Sequence, residues 1–210
     1  MLEVVEADMA ALFDRQAQIT KHLLTTPVTI EELITMQKNV EAFIDTGIKD
    51  FTEKLQNMSA QIQKISKYTS RQLSNATRLM LDLLSWHLGC DKMLEASKKI
   101  TDLKTEEFTS SLVSRREKIT EELDLIDHLV TDLSTNNDSE EVSKYKRRTN
   151  SLEARLEDLF NRIKQLNKEE ELFQWELTYY PQSAQIATRL APFVRLYDIA
   201  SDFGDKSQQW

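Results

Sequence analysis

The stretch LVSRREKITEELDLIDHLVTDL, Leu112 to Leu133, decides the fold. Leu112, Ile119, Leu123, Ile126, Val130 and Leu133 recur at intervals of three, four and seven, with Arg116 as the one charged member of the series. Such a repeat places one apolar stripe along an α-helix and suits a coiled-coil seam. A polar run, Ser134-Thr135-Asn136-Asn137-Asp138-Ser139, follows, and its side chains favour turns and caps over helix. Asp138 with Glu141 reads as a capping-box-like start. The repeat resumes as Val142, Tyr145, Thr149, Leu152, Leu156, Leu159, Ile163 and Leu166. Two helices joined by a short polar loop predict an antiparallel hairpin over residues 107–167.

Upstream, residues 1–106 read as a helical bundle segment. Leu2, Val5, Met9, Leu12, Ile19 and Leu23 predict a first helix from Leu2 to Leu24, which Pro27 ends. Thr29 and Glu32 form a capping box for the next helix. Its series is Leu33, Gln37, Val40, Ile44, Ile48, Phe51, Leu55, Met58, Ile62 and Ile65. Two four-residue steps meet at Ile44 and Ile48 beside Gly47, a phase shift that predicts a bend or repacking point. Further on, the pattern either continues unbroken to a helix C-cap at Gly89 or breaks near Tyr68-Thr69-Ser70.

Composition supports an all-α chain. The 210 residues hold only three glycines and three prolines, too few for the turns of an all-β fold. The regularly spaced Leu, Ile, Phe and Met supply a face to bury, which argues against disorder. Net charge is −8, so phosphate backbones are repelled, and the basic run Lys144-Tyr145-Lys146-Arg147-Arg148 reads as a solvated helix face. No nucleic-acid or membrane partner is expected. Cys90 is the single cysteine, and the N-terminus has no signal-peptide pattern, so a reducing intracellular compartment is expected.

No motif of known chemistry emerges. The three glycines are isolated, which removes phosphate loops, nucleophile elbows and dinucleotide fingerprints. His22, His87 and His128 are far apart, and His87 with Cys90 lacks companion ligands. Acidic pairs such as Glu121-Glu122 lack the Glu-x-x-His partners of di-iron bundles. Neither catalysis nor a cofactor is expected.

Beyond the hairpin, residues 168–210 break the rhythm. Pro181 suits the first turn of a new helix, and Pro192 is expected to kink or restart it. Phe173, Trp175, Tyr179, Tyr180, Phe193, Tyr197, Phe203 and Trp210 crowd here, which predicts a packed junction. Three elements occur in order: Asn167-Lys168-Glu169-Glu170-Glu171-Leu172-Phe173, then Tyr180-Pro181, then Leu190-Ala191-Pro192-Phe193-Val194-Arg195-Leu196-Tyr197. Together with the closing Trp210 they resemble the dynein heavy chains where the helical tail passes into the linker. Tyr197 stands where that family usually carries Trp.

The resemblance implies a structural signature at Asn167, Glu171, Leu172, Phe173, Tyr180, Pro181, Leu190, Pro192, Leu196, Tyr197 and Trp210. It implies a non-catalytic segment that joins tail to linker, transmits force and helps tail subunits assemble. The implied partners are the linker and AAA+ ring of the same heavy chain, other heavy chains, and intermediate or light chains. It also implies a cytoplasmic, cytoskeletal location in the axoneme of a cilium or flagellum. A free-standing coiled-coil or spectrin-like scaffold is the competing reading of the same helices.

Overall fold

The computed structural model describes residues 2–68, 74–135 and 142–207. The elements are α1 (Leu2–Leu24), α2 (Ile30–Ala42), a π-helical turn (Phe43–Gly47), α3 (Ile48–Ser66), α4 (Ser74–Leu88), α5 (Cys90–Thr135), α6 (Val142–Leu172) and α7 (Pro181–Ser207). The fold is all-α, with no strand among the described residues. It divides into two compact units, Met1–Phe108 and Thr109–Trp210, and the boundary falls within α5. The division expected at 106/107 lies within the same helix.

In the first unit the amphipathic series fold as their spacing requires. Val5, Met9 and Leu12 of α1 meet Phe51, Leu55, Met58 and Ile65 of α3 and Ala76, Met80 and Leu83 of α4 in one core. Each large apolar side chain removed from water there contributes about 1.5–3 kcal/mol. Leu23, Phe43 and Cys90 form a second cluster, and Trp86 packs against both. The Trp86 ring lies 4.8 Å from Phe51, and its Nε1 donates to Thr20 Oγ1 at 3.0 Å, so its polar edge is satisfied. The capping box at the start of α2 is present: Glu32 N donates to Thr29 Oγ1, and Glu32 Oε2 accepts from Thr29 N and from Val28 N.

The phase shift beside Gly47 is a single π-helical turn in which Ile48 N–H bonds to Phe43 C=O. Buried Phe43 and buried Phe51 are eight positions apart, one more than the seven-residue repeat. The wider turn absorbs the extra residue. This corrects the expected seam, because Ile44 stays 48% exposed and Phe43 takes the core position. Gly47 makes the exchange sterically feasible, since a Cβ there would sit 2.6 Å from Phe43 Cδ2.

The long helix does not continue unbroken to Gly89. Helix α3 ends at Ser66, and α4 packs back on it, with Thr52 Oγ1 3.3 Å from His87 Nε2. Thr69 and Ser70, part of the expected break, lie outside the described residues. Gly89 is not a left-handed cap, for no glycine here has positive φ. Its C=O accepts from Met93 N at 3.2 Å, so the helical ladder resumes at once into α5.

The second unit is the hairpin plus a returning helix. Leu112, Ile119, Leu123, Ile126, Val130 and Leu133 of α5 are all 2% exposed or less. On α6, Thr149, Leu152, Leu156, Leu159 and Leu166 are buried, and Thr149 satisfies its hydroxyl by donating back to Tyr145 C=O and Lys146 C=O. Ion pairs Arg116–Glu170, Glu122–Arg162 and Asp132–Arg148 climb one helix while descending the other, which establishes the antiparallel register. The loop cap at Asp138 and Glu141 lies outside the described residues.

Helix α7 begins at Pro181, as the missing N–H and fixed φ of proline favour. It then runs through Pro192 as one helix, so of the two expected outcomes the restart does not occur. Both Pro192 and Thr188, whose carbonyl loses its partner, are exposed, so the helix carries the missing hydrogen bond on its solvent-facing side rather than in the core. Ser183, Ile186, Leu190 and Tyr197 form the buried face of α7. The stacking of Tyr197 on Tyr145, at 5.3 Å and 12°, sets α7 antiparallel to α6 together with the Lys146–Asp198 ion pair. Arg189 ties α7 to Asp127 and Thr131 of α5.

Candidate functional site

The most specific chemistry in the chain lies where α6 ends and turns towards α7. Glu170 occupies the position after Leu159, Ile163 and Leu166 in the three-four alternation, so it points into the seam. It is fully buried, and Arg116, the charged member of the opposing seam, meets it. Arg116 Nε donates to Glu170 Oε1 at 2.7 Å. Thr178, in the segment between α6 and α7, adds its backbone N–H to Oε2 at 2.7 Å and its hydroxyl to Oε1 at 2.8 Å. One carboxylate therefore fastens three parts of the chain: α5, α6 and the approach to α7.

The surroundings complete the clamp. The Arg116 guanidinium carbon lies 5.1 Å from the Trp175 ring centre, a cation–π distance. Phe173 packs against Trp175 at 5.9 Å. Arg115 pairs with Glu169 alongside, and Gln165 Nε2 also donates to Glu169. Burial pushes the Glu170 carboxyl up, but the hydrogen bonds and charge of Arg116 and the two Thr178 donors outweigh it. The net result holds the group below the ordinary carboxylate value, hence ionised at neutral pH. Burial followed by the Glu170 charge pushes the Tyr180 phenol up.

The backbone is shaped to reach this clamp. Gln174 holds φ 56°, the left-handed region. Gln174 N bonds to Glu171 C=O at 3.0 Å and Trp175 N to Glu170 C=O at 2.9 Å, the two bonds of a Schellman cap. The cap stops α6 and sends the chain out towards Thr178. Without a glycine at that position, the stop carries a local strain of about 1 kcal/mol.

The eleven residues singled out from the sequence fall unevenly around this feature. Asn167, Leu172, Phe173 and Tyr180 are half-buried near the clamp, and Asn167 Oδ1 and Tyr180 Oη are buried without a hydrogen-bond partner among the described residues. Glu171 and Pro181 are exposed. Leu190 and Tyr197 are buried on α7, whereas Pro192 and Leu196 face solvent. Trp210 lies outside the described residues. The aromatic cluster is only partly packed, since Tyr179 is 84% and Phe203 74% exposed.

Glu170 itself was missed as a site residue, although its register was readable. A carboxylate in one seam and a guanidinium in the other, on opposite arms of a hairpin, are placed to pair. Among the described residues, no group of three His, Cys, Asp or Glu side chains is arranged to hold a metal ion. No helix there is long and apolar enough to cross a membrane. The arrangement fixes the angle at which one helix leaves another.

Comparison with known proteins bears on what such a junction serves. Dynein axonemal heavy chain 12 of Rattus norvegicus is 21% identical to the chain over 192 residues. The human and mouse proteins of the same name are each 22% identical, over 196 and 194 residues. This chain is related to the dynein heavy chains. The match covers 91% of the chain, so the likeness extends well upstream of Asn167, where the motif resemblance began. The chain spans about 6% of the length of these dynein heavy chains. No family model matches it.

Proposed function

We propose that the chain is the part of a dynein heavy chain that joins the tail to the linker and passes force between them, with no catalysis of its own. In this reading residues 1–106 belong to the tail bundle, 107–167 form a bracing hairpin, and 168–210 open the linker. Its partners are the linker and AAA+ ring of the same chain, other heavy chains, and intermediate or light chains in an axoneme. Asn167, Glu171, Leu172, Phe173, Tyr180, Pro181, Leu190, Pro192, Leu196, Tyr197 and Trp210 are its linker signature.

The observation that carries this reading is the Glu170 clamp. A load-bearing joint must resist rotation where elements change direction, and here a buried carboxylate bonds both hairpin arms and the outgoing segment. A mere spacer has no need to bury a charge at a turn, because desolvation makes that costly.

The test is an optical-trap measurement on the intact heavy chain carrying a ten-residue Gly-Ser insertion after Glu176. Such an insertion adds roughly 17 Å of slack at the joint. Microtubule-stimulated ATPase is expected to persist while stall force and step size fall. Unchanged force at unchanged ATPase would exclude a force-bearing role.

A further inference from the structure

The basic run near the start of α6 is not absorbed by the clamp, and with Arg155 it brackets an exposed hydroxyl. Ser151 is exposed in the third turn of α6. Arg147 and Arg148 precede it by four and three positions, and Arg155 follows by four. Residues at those offsets share one helix face, so all three arginines lie within a turn or so of Ser151 on that face. Arg147 is exposed. Arg148 reaches Asp132 only at 3.8 Å and Arg155 reaches Glu122 at 3.7 Å. Glu122 already has a shorter pair with Arg162. These guanidiniums are weakly engaged and available to a stronger anion.

We propose that Ser151 is a phosphorylation site for a basophilic serine kinase, and that Arg147, Arg148 and Arg155 capture the phosphate on the surface of α6. Arginine three and four residues ahead of the acceptor supplies the charge pattern by which such kinases select substrates. Leu152 follows the acceptor directly. The γ-phosphoryl group of ATP passes to Ser151 Oγ: the new O–P bond forms, the bond to the β-phosphate oxygen breaks, ADP leaves, and the kinase base takes the hydroxyl proton. Ser151 lies in the first three turns of α6, on the side opposite the buried Thr149 and Leu152. Once in place, the dianion draws Arg148 from Asp132 and Arg155 from Glu122, removing two of the charge ties between the hairpin arms. Asp132 and Glu122 on α5 are the acidic groups that compete for these arginines, and Lys146 is held by Asp198 of α7.

The full 210-residue chain is incubated with ATP and a calmodulin-dependent kinase that requires arginine three residues before its acceptor. Fragment mass spectrometry then locates the phosphate, and phosphorus NMR follows its titration. Phosphate on Ser151, absent in Ser151→Ala, is the expected result. Its second ionisation is expected to fall about one unit below the usual ~6 and to return there in Arg147→Gln/Arg155→Gln, which leaves Arg148 for the kinase. Labelling of Ser151 only after denaturation overturns the proposal, as does a midpoint near ~6 in the native chain.

Discussion

Replacing Glu170 by Ala removes the fully buried carboxylate but leaves Arg116 in place. Two Thr178 donors lose their acceptor, and the guanidinium loses its counter-charge. Breaking a buried pair from one side costs about 3–5 kcal/mol when the survivor is sealed from water. Arg116 keeps 30% exposure, so water recovers part of that loss and places the effect near the lower end, about 3 kcal/mol. For a chain of this length each kcal/mol is worth ~2–4 °C in Tm, giving a fall of roughly 6–12 °C. The double variant Arg116→Leu/Glu170→Leu removes both charges and fills the seam, so it should lose far less, within about 1 kcal/mol of the parent. Urea melts followed by circular dichroism, and in parallel by Trp fluorescence, measure the cycle. If the single and double variants unfold at the same urea concentration, the pair does not hold the junction and the reasoning fails.

The junction's pH response has a definite sign. The folded Glu170 carboxyl lies below its ordinary value, so its contribution is complete above the unfolded-state value of about 4.5. It is lost as pH falls through the lower folded value; acid melts of Glu170→Gln should lack that part of the slope. Gln174→Gly relieves the left-handed strain but loosens the unfolded chain, for a net gain of about 0.5–1 kcal/mol in a thermal melt. Gly47→Ala forces the new methyl against Phe43 and should cost about 1–2 kcal/mol despite the better helix propensity of alanine, as read by urea midpoint.

What the sequence made legible was whatever periodicity controls. The hairpin seam from Leu112 to Leu133 is buried position by position, and the capping box at Thr29 and Glu32 forms as written. Gly47 marked the right place for a phase shift, but periodicity cannot say whether Phe43 or Ile44 turns inward; close packing against Trp86 does. Pro192 does not restart α7, because it lies on the exposed face of the helix, where the carbonyl freed at Thr188 faces solvent rather than the core. Gly89 misled, since glycine permits a left-handed stop without requiring one. The clamp stayed hidden because it depends on pairing two seams across the hairpin and on Thr178 reaching back eight residues. The motif resemblance pointed to the same junction through its aromatics and prolines, while the residue that fastens it, Glu170, passed as one of three consecutive glutamates.

The most direct test of the account is the size and behaviour of the native polypeptide that carries these residues. An antibody raised against residues 109–207 is applied to blots of the source cells and to their microtubule fractions. The account predicts a band of several hundred kilodaltons that sediments with microtubules without ATP and is released by ATP. A band no larger than 210 residues would give, indifferent to ATP, would contradict the heavy-chain reading and return the chain to a free-standing helical scaffold.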